Sequence, residues 1–262
     1  MPILFEQRGH VGVVTLSRPQ ARNCWGEDFN REFAEVFRKI DEIDDVRSVV
    51  ITGDDAGNAF SAGADLKNPD THATASISDF IKALPAWRDF PVRVVSDCPK
   101  PVIAAVNGYA IGIGCILTYS CDLIVASERA EWRLPQTRLG IMPAYGGAVR
   151  LARWIGKGNA MKLAMGFPLS AEEAWRLGLA QWLVSHNDLM STAMQVAEAI
   201  AEQPPLSTRL TKESIDRGLD IPNINDASLV DAYRFMALEL TDDKREAHDA
   251  WREKRTPHIT GR

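Results

Sequence analysis

The stretch NGYAIGIGCILTYSCDL, residues 107–123, combines closely spaced glycines with an apolar run. The glycines are Gly108, Gly112 and Gly114, and no charged side chain occurs before Asp122. Glycines this dense are typical of a backbone that approaches another group closely, because glycine carries no Cβ. The apolar run that follows predicts a buried segment beside that approach.

The composition is that of an ordinary globular protein. The chain has 262 residues, of which 45% are hydrophobic and 25% are charged, and this length suits one large domain or one domain with a small appendage. The net charge of −5 argues against nucleic acid or an anionic membrane as the main partner.

The cysteines and the N-terminus indicate a reducing compartment. The four cysteines form no CxxC pair, so we expect buried free thiols and neither a disulfide framework nor a metal site. The first ten residues show no basic segment followed by an apolar one, so we expect no signal peptide and a cytoplasmic location.

One segment, residues 102–121, has a membrane-spanning helix as an alternative interpretation. It lacks charged side chains over about the length of a spanning helix. Asn107, Ser120 and the glycines interrupt it, which favours a strand, a turn and a buried helix instead.

The rest of the chain alternates strands with helices. Apolar runs at residues 3–7, 11–16, 47–52, 102–106 and 122–126 predict strands, and phenylalanines at helical spacing over residues 29–40 predict an amphipathic helix. This order predicts the α/β class with parallel pairing.

The chain also divides into two predicted regions. We expect a core over residues 1–190 and a C-terminal helical region over residues 191–262. That region should hold a helix over residues 190–202, two more helices and a charged tail. The polar segment of residues 68–77 predicts a mobile loop.

Several familiar catalytic signatures are missing. The sequence has no GxGxxG after a strand, no P-loop and no GxSxG turn, and its five histidines lack metal-ligand spacing. Hydride transfer, nucleotide hydrolysis, serine hydrolysis and metal chemistry therefore lack their usual evidence.

Two glycine-rich loops remain, AFSAGADL at residues 59–66 and the stretch first quoted. Each follows an apolar strand and leads into a helix, where backbone N–H groups stay free. Facing each other, they would form an anion-stabilising pair.

In these loops the chain resembles the crotonase superfamily, also called the enoyl-CoA hydratase/isomerase family. Further matching segments are RPQARN at residues 18–23, KPVIAAV at 100–106, CDLIVASERAEW at 121–132 and LGIMPAYGGAVRL at 139–151. The set spans nearly the whole chain.

The resemblance implies a crotonase-like spiral of ββα turns with a C-terminal helical trimerisation region. It implies a homotrimer or a dimer of trimers that binds acyl-CoA, with coenzyme A as part of the substrate and no separate cofactor. The N–H groups of Ala64 and Ile113 would hold the thioester oxygen.

The same resemblance implies the contacts to the coenzyme and to the acyl group. Residues at these positions are Ala21, Arg22, Ala62, Asp65, Leu66 and Ile116, with Trp251 and Lys254 reaching the coenzyme of a neighbouring subunit. A solvated charged helix is the alternative role of Lys254.

The chain departs from the family pattern at its acid/base positions. Hydratases of the family use two glutamates, and the matching residues here are Ile116 and Gln136. Isoleucine transfers no proton, and glutamine only positions a water. A third position that holds a carboxylate in some relatives is Ala144. We therefore expect no efficient enoyl-CoA hydration.

Other side chains are candidates for the missing chemistry. The phenol of Tyr145 is the first, followed by Glu131 and Arg133, and by Asp70 and His72 on the polar loop. Each also has a plain packing or solvation role.

Three functional hypotheses follow. The first is an isomerase, lyase or hydrolase acting on an unusual acyl-CoA; the second is a non-catalytic acyl-CoA binding or carrier protein. The third is a chain with neither role.

Asp122 is expected to have a structural role, since it stands at the start of the predicted strand of residues 122–126.

Overall fold

The computed structural model describes residues 2–67, 76–78, 81 and 88–262. The strands are β1 (Ile3–Arg8), β2 (Val11–Leu16), β3 (Ser48–Gly53), β4 (Ala59–Ser61), β5 (Val102–Val106), β6 (Tyr109–Ile111), β7 (Leu123–Ser127), β8 (Glu131–Arg133), β9 (Leu169–Ser170) and β10 (Trp182–Val184). The helices are α1 (Glu27–Glu42), α2 (Pro91–Asp97), α3 (Ile113–Thr118), α4 (Gly147–Ala164), α5 (Ala171–Arg176), α6 (Leu189–Ala201), α7 (Pro205–Gly218), α8 (Ile224–Leu238) and α9 (Asp242–Glu253).

The larger sheet has the strand order β1-β2-β3-β5-β7-β10. β1 pairs antiparallel with β2, and the other neighbours pair in parallel. β3 and β5 are buried along their whole length, as strands covered on both faces must be. The α/β prediction with parallel pairing is confirmed.

The smaller sheet has the order β4-β6-β8-β9. Its first three strands each follow a strand of the larger sheet, so β3 leads to β4, β5 to β6 and β7 to β8. A helix then follows β6 directly, and α4 follows β8 after a short 3-10 turn. The chain thus repeats the strand–strand–helix turn that the resemblance implied.

Apolar layers cover both faces of the larger sheet. On one face the α1 residues Phe29, Phe33, Phe37 and Ile40 are buried, and the rings of Phe33 and Phe37 stack with centroids 4.7 Å apart. On the other face α6 packs through Leu189, Ala193, Ala197 and Ala201. The first helix after the core therefore contributes to the core's packing, and the division at residue 190 stays a prediction.

One expectation about the C-terminus is wrong. The segment predicted as a charged tail forms the helix α9. Thr241 caps it by accepting a hydrogen bond from the Lys244 N–H at 3.2 Å, and Asp242 and Asp243 lie in its first turn, where the helix dipole favours negative charge. The sequence pattern did not predict this helix because the charged segment holds few apolar residues at helical spacing.

The apolar segment of residues 102–121 is divided among β5, β6 and α3. Over the described parts of the chain, no helix is long and apolar enough to cross a membrane. The four cysteines are buried and free, as predicted.

Asp122 holds the start of β7 to the C-terminal helices. Its Oδ2 accepts hydrogen bonds from the Val102 N–H and from the Lys212 ammonium, both at 2.7 Å. The side chains of Lys212 and Asp122 are 10% and 22% exposed. Burial raises the pKa of the Asp122 carboxyl, and the Lys212 cation opposes that rise. The structural role predicted for Asp122 is confirmed.

We predict that Lys212→Met lowers the free energy of unfolding by about 3–5 kcal/mol near pH 8, because a buried carboxylate loses its cation. Without the cation the pKa of Asp122 rises further above its unfolded value. The native state then binds more protons than the unfolded chain, so stability falls as pH rises, and the loss should be smaller near about pH 5.

Urea unfolding at the two pH values measures this difference. Lys244→Met is the control, because its ion pair with Glu239 lies on the surface, and its cost should stay below about 1 kcal/mol at both pH values. An equal loss for Lys212→Met at both pH values would contradict the assigned role of Asp122.

Candidate active site

Two glycine turns from neighbouring segments meet where the smaller sheet ends. Gly63 follows β4 with φ +84°, and Gly112 precedes α3 with φ +57°. A Cβ on Gly63 would lie 2.7 Å from the Ile111 carbonyl oxygen and 3.6 Å from the Gly112 Cα. The two backbones are therefore in direct contact, and only glycine permits this conformation and this approach.

Each turn leaves one backbone N–H without a partner. Ile113 is the first residue of α3, where no intrahelical acceptor exists. Ala64 forms a parallel bridge with Trp25. In this bridge the Trp25 N–H donates to the Gly63 carbonyl at 2.7 Å, and the Trp25 carbonyl accepts from the Asp65 N–H at 2.8 Å. The Ala64 N–H thus points away from Trp25. Within the described part of the chain, neither N–H donates a hydrogen bond.

Gln136 lies against the second turn. Its Nε2 would be 3.6 Å from a Cβ on Gly112, and its Oε1 is buried without a hydrogen-bond partner among the described residues. The amide therefore offers an unused acceptor beside the free N–H of Ile113. It can orient a bound group but transfers no proton.

Ile116 places hydrocarbon in the same region. Its side chain is 2% exposed, and its Cδ1 would lie 2.7 Å from a Cβ on Gly147, the first residue of α4. The missing side chain at Gly147 thus makes room for Ile116. No carboxylate stands at residues 116, 136 or 144.

Tyr145 lies on the loop before α4 in a left-handed conformation, with φ +61°. Its ring is 47% exposed and packs on Phe90, with centroids 4.1 Å apart. This places the phenol in a partly open ring pair just before α4. Its catalytic role stays a prediction.

The residues expected to hold the coenzyme largely come together. The Ala62 N–H donates to the Arg22 carbonyl at 2.9 Å, and Asp65 pairs with Arg18 at 3.1 Å. Ala21 ends the 3-10 turn before Arg22, and Leu66 is 70% exposed beyond Asp65. These segments adjoin the Ala64 side of the paired turns.

Asn23 organises this contact and was not predicted. It is buried with φ +53°, and its Nδ2 donates to the Ala59 carbonyl at 2.8 Å and to the Asp54 carbonyl at 3.0 Å. Its Oδ1 accepts from the Arg18 N–H at 3.0 Å. Asparagine adopts the left-handed conformation more readily than most residues, so an asparagine in this loop was the signal that the sequence offered.

Trp251 and Lys254 lie far along the chain, at the end of α9. Trp251 is 81% exposed and lines an open surface pocket with His248 and Arg252. Lys254 follows α9 in a left-handed conformation. The expected contact is with a neighbouring subunit, so their role stays a prediction.

The remaining candidates divide in two. Glu131 and Arg133 form an ion pair with each other, and Arg133 also lies over the Tyr109 ring at 5.1 Å. Their strand β8 pairs with both β6 and β9, so it is not an edge strand. Asp70 and His72 lie outside the described residues.

A serine, a histidine and an aspartate meet at a second place that the sequence did not indicate. His186 Nδ1 lies 3.2 Å from Ser127 Oγ, and its Nε2 lies 3.1 Å from Asp55 Oδ2. Burial opposes ionisation of Asp55, and hydrogen bonds from His186 and Asn107 outweigh it, so the pKa of this carboxyl is lowered. Ser127 is fully buried, and the three side chains join the ends of strands.

Metal chemistry finds no support in the described residues, which contain no group of three or more His, Cys, Asp or Glu side chains placed to hold an ion. The chemistry that the arrangement supports is hydrogen bonding to an oxyanion by two backbone N–H groups.

Comparison with known proteins shows the family of the chain. The family described as enoyl-CoA hydratase/isomerase matches residues 6–262. The chain is 36% identical to the short-chain-enoyl-CoA hydratase of Clostridium acetobutylicum, over 97% of this chain and 95% of that protein. It is also 36% identical to the mevalonyl-coenzyme A hydratase sidH of Aspergillus fumigatus, over 95% and 90% of the two chains.

A solved structure gives the same result for the fold. The crystal structure of enoyl-CoA hydratase from Bacillus anthracis superposes with a TM-score of 0.92 at 33% identity and covers 100% of both chains.

We predict that Gly114→Ala destabilises the protein, because its Cβ would lie 2.6 Å from Ser61 Cβ and 2.7 Å from the Ser61 carbonyl oxygen. The free energy of unfolding should fall by about 1–3 kcal/mol, the usual cost of overpacking. Gly158→Ala, exposed just after the kink of α4 at Gly156, meets nothing within 4 Å and should change stability by less than about 0.5 kcal/mol. Urea unfolding measures both. Unchanged stability of Gly114→Ala would show that α3 is not held against β4.

Proposed function

Because the chain belongs to the enoyl-CoA hydratase/isomerase family, we propose that it binds an acyl-CoA with the thioester oxygen between the N–H groups of Ala64 and Ile113. The observation that carries the proposal is the pair of free N–H groups on two turns whose backbones touch at Gly63 and Gly112.

The chemistry follows from where negative charge would develop. When an acyl-CoA forms an enolate or a tetrahedral intermediate, its carbonyl oxygen becomes an oxyanion. Two N–H groups held by backbone contact stabilise that charge without rearrangement, and one such donor is typically worth about 10²–10³ in rate. The protein is therefore proposed to be an enzyme that works on a thioester carbonyl or on the carbon atoms next to it.

We expect the protein to hydrate enoyl-CoA thioesters inefficiently. Adding water across an enoyl group needs a general base and a general acid, each typically worth about 10²–10⁴ in rate. Ile116 contributes hydrocarbon, and Gln136 contributes a neutral amide whose Oε1 can orient a water or a substrate hydroxyl. We propose isomerase, lyase or hydrolase chemistry on an unusual acyl group instead.

The coenzyme would lie along the loop of residues 18–23 and the segment of residues 62–66. The contact of Arg22 with Ala62 and the ion pair of Arg18 with Asp65 hold these segments together. The exposed Leu66 offers an apolar surface to the pantetheine arm. Coenzyme A enters as part of the substrate.

A second candidate is a non-catalytic acyl-CoA carrier. The burial of Ile116 and the absence of a carboxylate at residues 116, 136 and 144 favour it. Tight binding of many acyl-CoA thioesters without any turnover would support the carrier. A pH-dependent rate that Tyr145→Phe abolishes would support the enzyme.

We also propose a homotrimer or a dimer of trimers. The last three helices and their connections expose large apolar side chains, namely Ile215, Leu219, Ile224, Leu229, Tyr233, Phe235, Met236, Leu240 and Trp251. So large an apolar surface is typical of a subunit interface. A neighbouring subunit would then bring Trp251 and Lys254 toward the coenzyme.

We predict that the protein hydrates crotonyl-CoA very slowly, and that the double variant Ile116→Glu/Gln136→Glu raises the rate by at least about 100-fold, because it supplies both proton-transfer groups. Loss of the enoyl absorbance measures the rate. Gln136→Glu alone is the control and should remain slow. A cooperative unfolding transition would show that the double variant is folded.

Hydration of crotonyl-CoA by the unmodified protein at the rate of ordinary hydratases would contradict the proposed loss of this reaction. Failure to bind any acyl-CoA thioester would contradict the proposal as a whole.

We predict a trimer or hexamer in sedimentation equilibrium. The double variant Phe235→Glu/Met236→Glu should shift the mass toward the monomer, because both side chains are more than 60% exposed on α8 and would place charge in an apolar interface. Lys39→Glu on the exposed side of α1 should keep the assembly. A monomeric unmodified protein would contradict the proposed interface.

A further inference from the structure

Tyr119 carries a buried hydroxyl with nothing to bond. The residue is 1% exposed, and its Oη has no hydrogen-bond partner among the described residues. Leaving a buried polar group unsatisfied typically costs about 1–3 kcal/mol. Native chains satisfy such groups in most cases, so an orphaned phenol needs an explanation.

The hydroxyl lies beside the proposed acyl site. A Cβ on Gly147 would be 3.4 Å from Tyr119 Oη and 2.7 Å from Ile116 Cδ1, so these two atoms are close neighbours under the first turn of α4. Tyr119 follows α3 directly, and side chains of a helix lean back toward its N-terminus. The phenol therefore lies beside Ile116, one turn back along α3 and next to the first residue of α4.

In the part of the chain that the structure describes, no group accepts a hydrogen bond from this donor. The Arg150 charge acts on Tyr119, but a guanidinium has no acceptor for the phenol proton and makes no hydrogen bond to Oη. Tyr119's own backbone carbonyl is occupied by the Trp154 indole N–H at 3.1 Å. Burial raises the pKa of Tyr119 well above its usual range, so the hydroxyl keeps its proton and is a donor at neutral pH.

A second unpaired oxygen among the described residues lies beside the Gly112 turn. Gln136 Oε1 is buried and unbonded next to Gly112, at the opposite end of the short helix from Tyr119. The resemblance gives Ile116 to the acyl group, so an acyl chain in contact with Ile116 would come within reach of the neighbouring Tyr119 hydroxyl. An acyl chain made only of hydrocarbon would leave the Tyr119 hydroxyl unsatisfied.

We propose that Tyr119 selects acyl-CoA substrates that carry an oxygen on the acyl chain, as a hydroxyl or ketone group, by donating its phenol proton in a hydrogen bond to that oxygen. This inference rests on the proposed function, since it concerns the acyl end of the same site. Tyr119 is a specificity-determining residue in this scheme and takes no part in proton transfer.

Titration calorimetry with three probes tests the inference: butyryl-CoA, 3-hydroxybutyryl-CoA and 4-hydroxybutyryl-CoA. The unmodified protein should bind one hydroxylated probe at least about tenfold more tightly than butyryl-CoA, because only the hydroxyl satisfies the buried donor. Tyr119→Phe should reduce this preference to within about twofold and leave the affinity for butyryl-CoA nearly unchanged. Lys39→Met, on the exposed side of α1, should keep the preference.

Stability gives an independent readout. Tyr119→Phe removes an unpaired hydroxyl, so it should be at least as stable to urea as the unmodified protein. A less stable variant, or one that does not fold, would show a structural bond to Oη and overturn the inference. So would equal binding of the three probes by the unmodified protein. Binding of no probe at all would instead overturn the proposed function.

Discussion

The site depends on the contact between two backbones at Gly63 and Gly112. The Gly63 Cα passes so close to the Ile111 carbonyl that no side chain fits, and Gly112 turns in a conformation that favours glycine. This contact sets the distance between two turns that come from different strands of the smaller sheet. Because Ala64 and Ile113 follow these glycines directly, the contact also fixes their free N–H groups relative to each other.

The two sheets hold this contact in place. Strands β3 and β5 pair in the larger sheet, and β4 and β6, which follow them, pair in the smaller one. Asn107 donates to the Gly53 carbonyl at 3.1 Å and so joins the two crossings between the sheets. Asn23 ties the loop of residues 18–23 to the first crossing, and His186 with Ser127 and Asp55 adds β7 and β10 to the same edge. Rigid elements on every side thus position two atoms of the backbone.

Much of the fold was predictable because the relevant forces are local. Continuous apolar runs mark β3 and β5, which are buried on both faces, and the spacing of phenylalanines marks α1. The glycine turns were predictable for the same reason, since glycine density reflects a steric demand. The helix α9 was mistaken for a tail because few of its residues are buried.

Some polar contacts of the structure were not predictable. Ser127 and His186 are 59 residues apart in the chain, and no spacing rule joins residues that only the sheet brings together. Tyr119 was read as part of an apolar run, since an aromatic ring is buried whether or not its hydroxyl has a partner. Whether a buried donor is satisfied depends on tertiary packing, so this question is open until the three-dimensional structure is known.

Backbone strain favours a catalytic role over simple binding. Among the described residues other than glycine, those with positive φ are Arg22, Asn23, Asn58, Tyr145 and Lys254. Three of them lie in loops proposed to surround the ligand, Asn58 ends the turn before β4, and Lys254 is a proposed coenzyme contact. Such conformations typically cost about 1–3 kcal/mol each and cluster where geometry is functionally constrained. Ligand binding alone needs shape and apolar surface, whereas an oxyanion needs donors at defined positions. The chain has replaced acid and base side chains with hydrocarbon and amide, yet it keeps the strained backbone that places the donors, which favours a reaction that needs the oxyanion more than it needs the glutamates.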